Sequence, residues 1–93
     1  MPVHIVFIED QDRLDLTFDG NLDFSIARDV FAIRGSLPVN LKRCVMDLSG
    51  VDRVFDSGVA LLQVLFKRFD ELGVEIDVSA GRPEITKRIP VAA

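Results

Sequence analysis

Three side chains in this sequence invite a chemical reading: a serine beside a carboxylate, a lone cysteine and a lone histidine. Ser57 stands between Asp56 and Gly58, just ahead of the apolar run Val59-Ala60-Leu61-Leu62. A hydroxyl at the mouth of a helix has two uses. Its oxygen can accept one of the backbone N–H groups that the first turn leaves unpaired. The same turn gathers the positive end of the peptide dipoles, so it also accommodates an anion, including a phosphate carried by the hydroxyl itself. Cys44 lies inside the apolar run Cys44-Val45-Met46-Asp47-Leu48 and reads as a small buried thiol. His4 lies in another apolar run and reads as a surface or strand-edge residue without a catalytic role. One Cys and one His exclude an internal disulfide and do not make a zinc site of the usual kind. With no glycine-rich phosphate loop and no paired carboxylates in a plausible cleft, an enzyme has little support.

The elements around Ser57 can be read from periodicity. Val3 to Ile8 is a β-branched apolar run, a first strand. After the polar turn Glu9-Asp10-Gln11-Asp12, residues Arg13 to Phe18 alternate strictly, with Leu14, Leu16 and Phe18 on one face. The tight connection makes an antiparallel hairpin. Asp19-Gly20-Asn21 has turn chemistry and is expected to end the second strand. Phe24, Ala27, Val30 and Phe31 then recur at helical spacing, giving a first helix to about Gly35, capped by Asp23 or Ser25.

The nearly continuous apolar run Cys44 to Leu48 is a central strand covered on both faces. Ser49 to Phe55 is expected as a loop. The second helix follows, from Val59 to about Leu72, with Leu62, Leu65, Phe66, Phe69 and Leu72 as its inner stripe, widened by Leu61 and Val64. Gly73 stops it. Val74 to Val78 alternates as a fourth strand, parallel to the third through the intervening helix. Pro83 opens a last helix to about Ile89. The order ββαβαβα predicts an α/β sandwich: one mixed sheet of about four strands, with the helices mainly on one face.

The totals fit a single domain over residues 1–93. The chain is 48% hydrophobic, ample for a packed core. Its 15 acidic and 11 basic residues leave a net charge of -4, so binding to nucleic acid has no electrostatic support. No leader pattern and no apolar stretch of membrane-spanning length is visible, and a cytoplasmic location is expected. No cofactor is implied.

Taken together, the strand ending Asp47-Leu48-Ser49, the joint Asp56-Ser57-Gly58 and the helix opening Val59-Ala60-Leu61-Leu62 resemble the STAS domain. This is the family of anti-sigma factor antagonists, stressosome subunits and the cytoplasmic tails of sulfate transporters. Asp19-Gly20-Asn21-Leu22-Asp23 resembles the family's turn before the first helix, and Gly73-Val74-Glu75-Ile76 the turn into the fourth strand. In the antagonist branch the residue before the motif glycine is phosphorylated, which places Ser57 at the phosphosite. The resemblance implies a GHKL-type kinase that is also the anti-sigma factor, and a PP2C-type phosphatase. It implies a partner surface of Asp23, Asp56, Ser57, Gly58 and Val59. In this chain the carboxylate sits one residue later than the family's usual Asp-Ser-Ser-Gly, with Phe55 in its place. A second branch, the small STAS subunit of lipid-transport ABC systems, would set the same joint against an ATPase subunit, with no kinase.

Overall fold

The computed structural model describes residues 3–91. Seven regular elements follow one another: β1 (Val3–Ile8), β2 (Arg13–Leu22), α1 (Ala27–Gly35), β3 (Arg43–Val54), α2 (Asp56–Glu71), β4 (Glu75–Ala80) and α3 (Pro83–Thr86). The sheet runs β1-β2-β3-β4 in space. β1 and β2 form the expected antiparallel hairpin, Val3 opposite Phe18 and Ile8 opposite Arg13. β2 pairs with β3, and β3 with β4, in parallel. Each parallel pair is joined by a helix crossover, and crossovers of one hand in one direction place both helices on the same face. The fold is the mixed four-stranded α/β sandwich that the pattern predicted.

Side-chain alternation shows why the layers form. Leu14, Leu16 and Phe18 of β2 and Cys44, Met46 and Leu48 of β3 are all buried beneath the helices. Their neighbours in sequence turn to the open face, where Arg13 Nε donates to Asp15 Oδ1 at 2.8 Å and Arg43 Nε donates to Asp77 Oδ2 at 2.5 Å. From the helix side, α2 contributes Leu62, Leu65, Phe66 and Phe69. The first crossover contributes Ile26, Val30 and Ile33. Two expectations fail here. Phe24 and Phe31, placed on the inner stripe of the first helix by spacing, are 76% and 53% exposed. The stripe that packs is shifted because residues Phe24–Ile26 form a 3-10 turn before α1, which changes the angular phase. On α2, Val64 and Leu72 lie at the edge of the buried band and are each 38% exposed.

Two strands outrun their expected ends. Asp19-Gly20-Asn21 does not break β2, and the Ser49–Phe55 stretch is strand as far as Val54. The two extensions pair with each other, Asp19 opposite Gly50 and Leu22 opposite Val54, through register shifts at Thr17/Asp19 and Gly20/Leu22. Bulges let turn-prone residues stay in a ladder by twisting it, and the pairing satisfies backbone groups that a loop would leave to water.

The remaining boundaries agree better. α2 ends at Glu71 with Leu72 as its C-cap, Gly73 takes φ 71, and the Val74 N–H donates to the Phe69 carbonyl at 2.8 Å. That six-to-one bond across a left-handed glycine is the expected helix stop. Pro83 opens α3, but the helix ends at Thr86, short of the expected Ile89. Ile85 and Ile89 are nonetheless both buried.

Candidate functional site

The joint between β3 and α2 is built by main-chain contacts. Phe55 leaves the strand in an extended conformation and is the N-cap of α2, although it has no polar side chain to cap with. Its N–H donates to the Leu22 carbonyl at 2.8 Å, tying the joint to the end of β2. Asp56 and Ser57 are the first two helical residues and both are exposed. The first helical bond runs from the Val59 N–H to the Phe55 carbonyl at 3.1 Å. The N–H groups of Asp56, Ser57 and Gly58 precede it and have no carbonyl one turn back. Ser57 therefore stands one turn into water with the positive end of the helix beneath it, and the capping role open to it from sequence falls away. It lies two residues past the cap, which is Phe55.

Gly58 is buried, and its role is steric. A Cβ there would lie 2.2 Å from the Leu22 carbonyl oxygen and 2.9 Å from the Asp23 nitrogen. Only a glycine lets the first turn of α2 sit on the end of β2. Val59 is half-buried and packs against the core. Asp23 accepts from the Ser25 N–H at 2.8 Å and caps the 3-10 turn that leads into α1. The Ser25 hydroxyl and then its N–H hold the Asp23 carboxyl below its ordinary value. Asp47, at the other end of the motif, is likewise lowered by the Ser49 side chain and backbone, which donate to it at 2.7 and 2.9 Å.

Sequence reasoning missed two arginines. Arg88, just past α3, donates from Nη2 to Asp56 Oδ1 at 3.1 Å and from Nη1 to the Val54 carbonyl. Arg82 donates from Nη2 to the carbonyls of Val51 and Asp52, at 3.0 and 2.7 Å. Together they strap the C-terminal segment across the end of β3. Arg88 also brings a cationic group to the mouth of α2, where it pairs with Asp56. No local pattern points to such contacts, because donor and acceptor lie about thirty residues apart. The exposed rings of Phe24 (76%) and Phe55 (43%) were missed as surface features too. The 3-10 turn that Phe24 begins packs against α2, and Phe55 is the residue before that helix.

The other chemistry-bearing residues behave as expected. Burial, with the Asp15 and Asp77 carboxylates adding to it, pushes the Cys44 thiol up to about 12. His4 is exposed on β1, its Nε2 3.6 Å from Asp19 Oδ2. Among the described residues no cluster of His, Cys, Asp or Glu is placed to hold a metal ion, and no helix is long and apolar enough to cross a membrane. Two surface clefts lie away from Ser57, one lined by residues such as Phe7, Asp12 and Asn40, the other by Gln63, Phe66 and Ile76.

No protein-family model matches the chain, and no curated protein matches it in sequence. Solved structures match its shape. The anti-sigma factor antagonist SpoIIAA in its unphosphorylated form superposes with a TM-score of 0.72 at 12% identity, over 91% of this chain and 78% of that one. An antisigma-factor antagonist STAS domain from Rhodobacter sphaeroides gives a TM-score of 0.59 at 20% identity, over 82% of each chain. The Mglu structure gives 0.72 at 25% identity, over 88% of this chain. This chain spans only 20% of the length of Mglu. The fold is that of the STAS domain.

Proposed function

We propose that this protein is a non-enzymatic interaction module of the anti-sigma factor antagonist kind, working in the cytoplasm and switched by phosphorylation at Ser57. The observation that carries the reading is the position of that hydroxyl: exposed at the second residue of α2 and uncommitted to capping. The SpoIIAA likeness supports the same direction through shape. The partner is a GHKL-type serine kinase that doubles as the anti-sigma factor, and a PP2C-type phosphatase resets the site.

The physics of such a switch is local. A phosphate on Ser57 adds about -1.5 to -2 charge. Within the domain it meets free N–H groups and the helix dipole, worth about 0.3–1 kcal/mol at an exposed site. The Asp56 carboxylate opposes it, but Arg88 already partners that carboxylate. The internal terms thus come close to cancelling, and the fold need not change. In a complex the outcome differs. Aromatic anchors such as Phe24 and Phe55 are the kind of residue that dominates protein interfaces. A double charge brought into such an interface costs a few kcal/mol of desolvation and repulsion, and about 2.7 kcal/mol is a hundredfold in affinity.

The deciding experiment is affinity capture of the tagged protein from its own cells, with mass spectrometry of the co-purified proteins and of the Ser57 peptide. A GHKL kinase with partial phosphate on Ser57 is the expected result. An ABC ATPase with unmodified Ser57 would overturn it in favour of the transport-subunit branch.

A further inference from the structure

The two edges of the sheet are unlike. β4 is charged along its length: Glu75 and Asp77 alternate with Ile76 and Val78. A second copy paired there would bring carboxylates together, which blocks sheet extension. β1 has no such guard. Its sequence Val-His-Ile-Val-Phe-Ile contains no Asp, Glu, Lys, Arg, Pro or Gly. It pairs with β2 without a bulge from Val3 to Ile8, and no strand of the described residues lies on its outer side. Ile5, Val6 and Phe7 are 38%, 55% and 41% exposed. Ile5 and Phe7 stand opposite the buried Leu16 and Leu14, so they continue the core layer out to the edge.

From this we infer that β1 is a homodimer interface, joining two copies edge to edge into one eight-stranded sheet. The occupant is a second copy because β1 satisfies the demands of a two-fold axis. An antiparallel edge exchanges N–H and C=O groups with itself, and each copy consumes the other's open edge, so the assembly closes. The axis must stand perpendicular to the sheet, which puts both helix layers on the same side. Directly opposed residues then point to one face, so paired residue numbers must share parity. Pairing Ile5 with the partner's Phe7 centres the axis on Val6 and sets His4 opposite the partner's Ile8. Centring on Ile5 instead would spend Val3, which is only 2% exposed and has nothing left to bury. The Val6-centred register also brings the His4 imidazole, a hydrogen-bond donor, towards the acidic Glu9–Asp10 turn that follows Ile8 in the second copy, whereas pairing at β4 would set Glu75 against the Asp77 of its mate. The strand is six residues long, so the interface is at the small end, below about 1,200 Å² in total, where association is weak and reversible.

Sedimentation velocity on the purified chain from micromolar to millimolar concentration reads this directly. Wild type shifts from monomer to dimer across that range. Val6→Lys, on the open face where a lysine does not disturb the core, stays monomeric. Val39→Lys, the same charge change at a fully exposed apolar residue outside β1, dimerises like wild type. Val6→Cys, set against its own mate, forms an oxidised covalent dimer, while Cys44 is too buried to do so. A wild type that is monomeric throughout, or a dimer indifferent to Val6→Lys, overturns the inference and leaves β1 bare or to another chain. The Ser57 joint follows β3, two strands in from the β1 edge, and its binding is tested separately.

Discussion

If Gly58 is what seats α2 on the sheet, then adding one methyl group there must lift the helix. In Gly58→Ala the new Cβ would lie 2.2 Å from the Leu22 oxygen and 2.4 Å from its carbon, both main-chain atoms that cannot rotate away. Reaching an ordinary contact of 3.4 Å requires the first turn to move by 3.4 − 2.2 = 1.2 Å. Such a movement stretches the 2.8 Å bond from the Phe55 N–H to the same carbonyl. Overpacking typically costs about 1–3 kcal/mol and a lost hydrogen bond about 1 kcal/mol. The better helix propensity of alanine returns at most about 1 kcal/mol. The net loss is about 1–3 kcal/mol, which in a domain of this size lowers the melting temperature by roughly 4–24 °C. Thermal unfolding by circular dichroism measures it. Gly35→Ala is the control, because no atom lies within 4 Å of the added carbon at the end of α1; it should be neutral or slightly stabilising. A Gly58→Ala protein that melts within about 2 °C of wild type would refute the steric argument, since the scale above leaves no room for so small a change.

Further consequences follow from the same contacts. Arg88→Ala removes the strap on Val54 and the partner of Asp56, and because the guanidinium is 41% exposed the loss should be modest, about 1 kcal/mol in urea unfolding. The Asp23 and Asp47 carboxyls are held below their ordinary value of 3.8 by the serines that follow them. Lowered carboxyls stabilise the fold above the unfolded value and lose that contribution as pH falls through the folded one. Stability should therefore drop below pH 3.8, and the drop should shrink in the Asp23→Asn, Asp47→Asn double variant, as read by unfolding midpoints against pH. Cys44, with its thiol at about 12, should react with a thiol reagent at neutral pH only as fast as the protein opens; rapid labelling of the native state would contradict its burial.

Much of this architecture is legible in single-residue patterns, and the failures share one cause. The hairpin, the apolar central strand and α2 announce themselves because each is a strong local period. Gly73 is legible as a stop because a left-handed residue after a helix is a local need. Asp19-Gly20-Asn21 and Ser49–Val54 misled because their turn chemistry is overridden by pairing with each other, a long-range fact. Phe24 and Phe31 misled because one 3-10 turn shifted the phase of the stripe. At the site, Ser57 and Gly58 stand out by type and spacing. The roles of Phe55 as an apolar N-cap and of Arg82 and Arg88 as straps exist only once β3 and the C-terminal segment are brought together.

Calorimetric titration of the captured partner with Ser57→Asp and Ser57→Ala reads the effect of charge at Ser57 most directly. Ser57→Ala should bind like the unmodified protein, and Ser57→Asp at least about a hundredfold more weakly with an unchanged melting temperature. Equal affinities for the two variants would mean that the hydroxyl at the mouth of α2 is not where the partner reads this protein.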